Sequence, residues 1–281
     1  MVINSYDKII LIDLMWAMHT FHNAMKFLSV KIDGEEFRTG SIYGILKNIV
    51  FPNIHPKVCI IFCEDNHSKS RREEFKEYKA NRVPSTSLVS QLSFLKTICL
   101  SIPGVYYASG EHMEGDDVIS ILAYRYRRRQ IEIYSGDNDM LQCLAYSDTV
   151  RVIKGKNKRI DSEYVQEKYG VPPHALVMLR AIEGDISDNI PQAGKVKKAI
   201  RIGTALTYET IDDLKRSVSV DPSINTILSE IERNWRLMKL PIIGNLDITK
   251  CGYCSRSEAI TIFELLKMNL LKMEYNAIGG I

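Results

Sequence analysis

Acidic side chains follow three of the apolar segments of this 281-residue chain. Asp13 ends "KIILID", Glu64 and Asp65 follow "VCIIFC", and Asp137 and Asp139 come directly after "QIEIYS". Because each segment is short and apolar, we expect strands that are buried on both faces of a parallel sheet. The carboxyl ends of parallel strands share one edge of the sheet, which predicts that these carboxylates meet there.

The segment "EGDD" adds Glu114, Asp116 and Asp117 at the start of a predicted helix. Two carboxylates about 4 Å apart repel by roughly 4 kcal/mol at an effective dielectric near 20, so such a group takes up protons or cations. Oxygen ligands favour magnesium or manganese over zinc. Two ions about 4 Å apart can activate a water and stabilise an in-line phosphoryl displacement. Taken singly, each acid could instead be a helix cap or a first-turn residue favoured by the helix dipole.

The net charge of +3 is too small to indicate a nucleic-acid partner by itself. Lysine and arginine are concentrated in four runs, at 69–82, 125–129, 154–159 and 195–201. A basic surface around an acidic pocket suits a polyanion held at a metal centre, although each run alone could be a solvated helix face or loop. No run of about 18 apolar residues is present, and the N-terminus lacks signal-peptide features.

Strands and helices alternate up to about residue 160, and the pattern beyond it is helical. The predicted strands are 8–13, 57–63, 104–107, 130–135 and 149–154. The predicted helices between them are 40–50, 87–102 and 115–129. This pattern predicts an α/β fold in which helices flank a mainly parallel sheet over residues 1–160, followed by a helical region over 161–281.

Four motifs, in this order along the chain, resemble the 5′-nuclease family of flap endonucleases, phage 5′-exonucleases and the 5′-nuclease domain of bacterial DNA polymerase I. They are "RREEFKEYKANR", "EGDDVISILA", "IYSGDNDMLQ", and "EKYGVPP" with "LRAIEGDISDNIP". The resemblance implies the PIN-like core of that family. The chain has no polymerase region, so in size it is most similar to the stand-alone phage members.

The resemblance also implies roles for the acids. The ligands of a first magnesium ion would be Asp13, Asp65, Glu114 and Asp116. The residues that hold or orient a second ion would be Asp137, Asp139 and Asp185, with Asp117 and Asp188 as outer-shell groups or ligands through water. The implied cofactor is therefore a pair of Mg²⁺ ions, for which Mn²⁺ would substitute.

The segment 71–82 resembles the arch, or clamp, through which the family passes a free 5′ strand, and we place the arch segment at about 68–100. Lys79 would contact the scissile phosphate, because a compact cation stabilises developing negative charge. Arg71 and Arg82 would lie close by.

Three further residues of the arch are candidates for DNA contact. Arg72 is the alternative to Arg71 in the alignment with the family motif, and Lys76 would bind DNA. Tyr78 would either stack on a base or pack as part of an amphipathic helix.

After "DNIP" the family has a glycine-rich hairpin, part of a helix–hairpin–helix that binds duplex phosphates, often with potassium. Here "QAGKVKKA" is about two residues shorter and keeps Gly194 alone, so this helix–hairpin–helix is a variant and its binding of K⁺ is left open. Lys195, Lys197 and Lys198 would supply the phosphate contacts instead.

The resemblance implies a structure-specific 5′-nuclease that cleaves DNA at a 5′ flap or 5′ end in replication or repair, with RNA primers in RNA–DNA hybrids as further substrates. One alternative is an RNA-directed nuclease of the same carboxylate fold. Another is a non-catalytic protein that binds DNA junctions. We also expect a cytoplasmic monomer, in a bacterial host for a phage protein, with replication proteins as partners and no membrane association.

Overall fold

A computed structural model describes residues 2–66, 70–80, 86–155, 157–217, 220–250 and 254–278. Arg82 lies outside these residues, and so does the side chain of Arg72. The role expected for Arg82 is therefore carried forward as a prediction.

The strands form one seven-stranded sheet and one two-stranded hairpin. Their bounds are β1 Lys8–Asp13, β2 Ser29–Ile32, β3 Glu35–Arg38, β4 Val58–Cys63, β5 Val105–Ser109, β6 Gln130–Tyr134, β7 Val150–Lys154, β8 Lys158–Ile160 and β9 Asp247–Lys250. The large sheet has the order β8-β7-β6-β1-β4-β5-β9, and its five inner strands are parallel. The two edge strands are antiparallel to their neighbours. The mainly parallel sheet predicted from the sequence is confirmed.

Helices account for most of the remaining described chain. Their bounds are α1 Leu14–Ala24, α2 Gly40–Ile45, α3 Phe51–Asn53, α4 Ser70–Glu74, α5 Thr86–Leu100, α6 Gly115–Arg125, α7 Ser162–Tyr169, α8 Leu176–Glu183, α9 Lys198–Thr207, α10 Ile211–Arg216, α11 Pro222–Asn225, α12 Leu228–Met238, α13 Arg256–Leu265 and α14 Asn269–Ile278. A π-helical stretch, Leu46–Val50, joins α2 to α3. No helix among the described residues has both the length and the apolar character needed to cross a membrane.

The sheet is buried on both faces because successive strand residues point to opposite sides. In β1, Ile9 and Leu11 belong to one apolar core and Ile10 and Ile12 to the other. The first core includes residues of α6, α8 and α12, and the second includes residues of α1, α2, α5, α13 and α14. This two-sided burial explains why the strands have continuous apolar sequences.

The helical C-terminal region is confirmed, but it also contains β9, which the sequence analysis did not predict. Asp247–Lys250 is a short edge strand that pairs with β5, and its four residues "DITK" give too weak a pattern to indicate a strand. Helices α8 and α12 share an apolar core with α6. The boundary near residue 160 stays a prediction, and the described elements on its two sides pack on a common core.

Candidate active site

The strand register brings the predicted acids to one edge of the sheet. Asp13 pairs with Cys63 at the end of the neighbouring strand β4, so Glu64 and Asp65 emerge beside it. On its other side, Ile12 pairs with Tyr134 near the end of β6. The convergence of these strand ends, expected from the sequence, is therefore present.

Asp13 joins β1 to α1 and lies close to two other acids. Its Oδ1 accepts the Trp16 N–H at 3.0 Å, and its Oδ2 accepts the Ser135 hydroxyl at 2.8 Å. Burial raises the pKa of Asp13 to about 7 against these hydrogen bonds, and the charges of Asp65 and Asp137 act in the same direction as burial. Near neutral pH this carboxyl group therefore favours a proton or a bound cation.

Four carboxylates lie at the N-terminus of α6, those of Asp65, Glu114, Asp116 and Asp117. Glu114 is the N-cap, and its N–H donates to Asp117 Oδ2 at 3.1 Å in a capping box. The Gly115 N–H donates to Asp65 Oδ1 at 2.5 Å. A Cβ at Gly115 would lie only 3.1 Å from that oxygen, so glycine permits this close approach. The N–H groups at the helix start thus hold strand-end and helix acids together.

Two buried cations from the segment 71–79 contact these acids. Arg71 Nη1 donates to Glu114 Oε2 at 2.7 Å, and its Nη2 donates to Asp117 Oδ1 at 2.5 Å. Lys79 Nζ also donates to Glu114 Oε2, at 2.7 Å. Burial would raise the pKa of Asp116, but the charges of Arg71 and Lys79 outweigh it and the pKa is lowered. The predicted arch segment therefore supplies two counter-ions to the α6 acids.

Tyr78 is buried close to both cations, and Lys79 Nζ lies 4.9 Å from its ring centroid. Its hydroxyl donates to Glu114 Oε2 at 3.0 Å, and its ring packs with Val177, Leu237 and Met238. The side chain is 2% exposed, so its ring is not available to a base in this structure. Packing, which was one of the two interpretations of Tyr78, describes this arrangement, and a contact with DNA stays a prediction. Lys76, in contrast, is exposed.

A second group of acids has the geometry of a metal site. Oxygens of Asp137, Asp139 and Asp188 lie within 4.8 Å of one another. The Asp139 N–H donates to Asp137 Oδ1 at 2.8 Å, which fixes the two acids after β6 relative to each other. The buried Oδ1 of Asp139 accepts no hydrogen bond from any described residue. A donor set made of three carboxylates fits a hard divalent cation such as magnesium.

Arg180, on α8, is a site residue that the sequence analysis missed. It is 7% exposed, its Nε lies 3.1 Å from Asp139 Oδ1, and its Nη2 donates to Asp185 Oδ2. Burial raises the pKa of Asp139 well above its ordinary value, although the Arg180 charge opposes the increase. The available signal was an arginine inside the apolar helix "LVMLRAIE", because a buried arginine needs acidic partners.

Asp185 and Asp188 occupy different positions in their loop. Asp185 Oδ1 accepts the N–H and hydroxyl of Ser187 at 2.8 and 2.6 Å, and its other oxygen faces Arg180. Burial raises the pKa of Asp185, but these contacts outweigh it and lower the pKa. Asp188 lies with Asp137 and Asp139 instead. The family resemblance implied instead that Asp185 holds or orients the second ion and that Asp188 is an outer-shell group. Both roles remain predictions.

The segment before α9, where the resemblance implies a hairpin, presents lysines to solvent. Lys195, Lys197 and Lys198 are exposed, and Lys197 is the N-cap of α9. A Cβ at Gly194 would lie 2.7 Å from Ile227 Cγ2, so this glycine is needed for packing. The positions of the lysines are compatible with the phosphate contacts expected of them, which stay predictions.

A parallel sheet with carboxylates gathered at the carboxyl ends of its strands defines a class of α/β enzymes that act through divalent metal ions. A family model described as 5′-3′ exonuclease, N-terminal resolvase-like domain, matches residues 8–170. The chain therefore belongs to the 5′-3′ exonuclease family. Members of this family are metal-dependent phosphodiester hydrolases, so the resemblance stated from the motifs is confirmed.

Curated relatives extend this match. A 5′-3′ exonuclease of Buchnera aphidicola subsp. Acyrthosiphon pisum is 37% identical over 76% of this chain and 74% of its own length. One from Bacillus subtilis is 28% identical over 83% of both chains. One from Buchnera aphidicola subsp. Schizaphis graminum is 38% identical, over 58% of both chains.

A solved structure shares the fold along nearly the whole chain. T5 5′-exonuclease with bound divalent metal ions (zinc) has a TM-score of 0.62 and covers 98% of this chain and 99% of its own, at 14% identity. This likeness confirms the PIN-like α/β fold with a helical C-terminal region.

Proposed function

We propose that this protein is a structure-specific 5′-nuclease that uses two Mg²⁺ ions to hydrolyse DNA at a 5′ flap or 5′ end, in replication or repair. The observation that carries the proposal is the cluster of Asp137, Asp139 and Asp188 beside the acids of β1, β4 and α6. Membership of the 5′-3′ exonuclease family supports the same chemistry.

Magnesium bound at this edge would supply an activated water and positive charge for the phosphoryl oxygens. The residues assigned to one ion are Asp13, Asp65, Glu114 and Asp116. The residues assigned to the other ion are Asp137, Asp139 and Asp188. Asp117 and Asp185 would orient the neighbouring ligands and cations. Mn²⁺ offers a similar preference for oxygen ligands and is expected to substitute.

In this proposal Lys79 and Arg71 also act on the substrate phosphate, besides pairing with the α6 acids. Both now donate to Glu114 Oε2, which is also a proposed metal ligand. When that oxygen binds a cation, the Lys79 ammonium loses its strongest partner and can donate to a phosphate oxygen instead. Lysine suits this role because its charge is compact and its donors rotate.

The basic segment 195–198 would give the substrate a second attachment. Lys195, Lys197 and Lys198 are exposed at the start of α9 and would bind duplex phosphates without reading sequence. Proteins of similar fold have been solved with DNA, including T5 D15 flap endonuclease and the catalytic core of Rad2. Cleavage of RNA–DNA hybrids, replication partners, a monomeric state, a cytoplasmic location and K⁺ binding remain parts of the proposal.

The test is a cleavage assay on labelled 5′-flap, nicked and RNA-primed duplexes, with and without magnesium, and with single-stranded RNA in parallel. We expect magnesium-dependent cleavage near the 5′ end of the DNA substrates. Preferential cleavage of single-stranded RNA would identify the RNA-directed alternative. Tight flap binding without product in magnesium or manganese would identify a non-catalytic junction-binding protein.

A further inference from the structure

Asn234, on α12, is a fully buried polar residue outside every motif that carries the family resemblance. Its Nδ2 donates to the carbonyl oxygens of Ala181 and Pro191, at 2.9 Å each. Its Oδ1 accepts from Nε and Nη2 of Arg233 at 3.2 and 3.0 Å. Because an unpaired buried amide is costly, this complete pairing indicates a specific structural task.

The two carbonyl groups lie on either side of the loop that carries Asp185 and Asp188. Within that loop, Asp185 and Ile190 exchange two backbone hydrogen bonds of 2.8 Å. The N–H of Ala193 then returns to the carbonyl of Ile182 at 3.1 Å. A single side-chain amide therefore joins the chain before the loop to the chain after it.

The C-terminal end of α12 also contacts the element that follows Asp139. Gln142 lies in the 3₁₀ helix Asp139–Ala145, and its Nε2 donates to the Met238 carbonyl at 2.9 Å. Its Oε1 accepts the Leu240 N–H at 3.5 Å. Helix α12 thus connects the loop that holds Asp188 to the 3₁₀ helix that begins with Asp139.

We propose that Asn234 is a positioning residue that holds the loop of Asp185 and Asp188 against Asp137 and Asp139, so that a divalent ion meets a preformed site. This inference rests on the proposed function and deepens it. Asn234 lies beyond residues 8–170, which the family model matches. Groups that orient metal ligands in this way typically change metal affinity or activity by about 10- to 100-fold when they are removed.

The test uses Asn234→Asp, which keeps the side-chain shape and removes both amide donors, and Asn234→Ser, which avoids a buried charge. Mn²⁺ binding is measured on the full chain by electron paramagnetic resonance, at a temperature where thermal melting shows each variant to be folded. We expect the affinity for Mn²⁺ to fall by about 10- to 100-fold. Cleavage should recover as Mn²⁺ is raised, so the metal requirement should change more than the maximal rate.

Gln91→Glu is the matched control, because Gln91 is an equally buried amide whose Oε1 accepts the N–H of Ser41 in α2, away from the ligand loop. Its Mn²⁺ affinity should change by less than about twofold. Folded Asn234 variants with the affinity of the unmodified protein would overturn the proposal, and so would an equal loss in the control.

If the variants do not fold, a measurement on the unmodified protein provides a second test of the role of Asn234. The amides of Asp185 and Ile190 should be protected from hydrogen exchange before any metal is added, because the loop is already held. Exchange of both at the rate of an open loop in metal-free protein would overturn the proposal. If the unmodified protein binds Mn²⁺ but cleaves no DNA, the proposed function fails, while the metal affinities still decide the role of Asn234.

Discussion

The acidic edge has two parts that deal with their negative charge differently. The α6 part, which contains Glu114, Asp116 and Asp117, is contacted by Arg71 and Lys79 from the arch segment. In the part formed by the acids after β6 and the Asp188 of the α8 loop, the cations are less well placed. Arg180 Nε lies 3.1 Å from the buried Asp139 Oδ1 without a well-directed hydrogen bond, and Lys79 Nζ lies 3.7 Å from Asp188 Oδ2.

The pKa shifts of Asp116 and Asp139 have opposite directions, while burial raises the pKa of Asp117, also in the α6 part, to about 6. The nearby cations lower the pKa of Asp116 although burial alone would raise it. Burial raises the pKa of Asp139 well above its ordinary value because the single charge of Arg180 does not outweigh it. The comparison indicates that protein cations outweigh burial at Asp116 but not at Asp139, so Asp139 favours a proton or an added cation.

The largest effect is expected from the double substitution Asp137→Asn and Asp139→Asn, which removes charge from the second part of the acidic edge. We expect cleavage of flap DNA to fall below detection, because two of the three oxygens in the second part lose their charge. Binding of flap DNA, measured in Ca²⁺ by fluorescence anisotropy, should remain measurable.

The matched control is Asp212→Asn with Asp213→Asn, in α10, which removes the same charge from the helical region without touching the acidic edge. This control should retain cleavage. Undiminished magnesium-dependent cleavage by the Asp137 and Asp139 variant would show that the reaction uses other residues.

The sequence predicted the parts of the site that local pattern determines. Asp13, Asp65 and Asp137 follow apolar strands, and a parallel sheet must bring such ends to one edge. The order of the inner strands was not predicted, since strand pairing depends on contacts between segments far apart in the chain. Strand β9 was not predicted because an edge strand of four residues needs little apolar sequence.

The supporting residues of the site were missed for a related reason. The roles of Arg180 and Asn234 depend on partners elsewhere in the fold, and the sequence pattern shows only that each lies on a helix. The distinction between Asp185 and Asp188 depends on which one faces Arg180, which spacing along the chain does not determine.

The next prediction removes a counter-ion from the first part. Arg71→Gln removes the charged partner of Asp117 and leaves Glu114 paired with Lys79 alone, and breaking a buried pair typically costs about 3–5 kcal/mol. We expect a lower melting temperature in a chelator, with part of the loss recovered on adding Mg²⁺, because the ion replaces the missing charge.

Arg216→Gln is the control for this substitution. Arg216 pairs with Asp213 at the surface and is 74% exposed, so its loss should change stability by less than about 0.5 kcal/mol. A melting temperature for Arg71→Gln as high as that of Arg216→Gln would mean that Arg71 is not needed to neutralise the α6 acids.

A smaller effect should appear in the pH dependence of stability. The pKa of Asp13 is raised to about 7 and that of Asp117 to about 6, so the folded state binds protons more tightly than the unfolded state. Their contribution to stability is present at low pH and is lost as the pH rises through 6 to 7. The metal-free protein should therefore melt at a lower temperature at about pH 8 than at about pH 5.5.

Magnesium should reverse this loss, because metal binding competes with protons for the same oxygens. The increase in melting temperature caused by Mg²⁺ should be larger at the higher pH, by about 2–4 °C for each additional kcal/mol of stabilisation. An equal increase at both values, measured by differential scanning fluorimetry, would contradict the assignment of these carboxylates to the metal site.

The smallest expected effect separates the two interpretations of Tyr78. Tyr78→Leu keeps an apolar side chain in the pocket formed by Val177, Leu237 and Met238, and it removes both the ring and the hydroxyl that donates to Glu114. If Tyr78 acts by packing, the affinity of the Tyr78→Leu variant for flap DNA in Ca²⁺ should differ from that of the unmodified protein by less than about threefold. Loss of the hydroxyl should still lower the free energy of unfolding by about 1 kcal/mol.

Stacking on a base would give a different pattern. It contributes about 1–3 kcal/mol per base, so its loss would weaken DNA binding by roughly 5- to 150-fold. Tyr78→Phe serves as the control, because it keeps the aromatic face and removes only the hydroxyl. Loss of DNA affinity in the leucine variant but not in the phenylalanine variant would mean that the arch opens and exposes Tyr78 when DNA binds, so that the counter-ions Arg71 and Lys79 move with it.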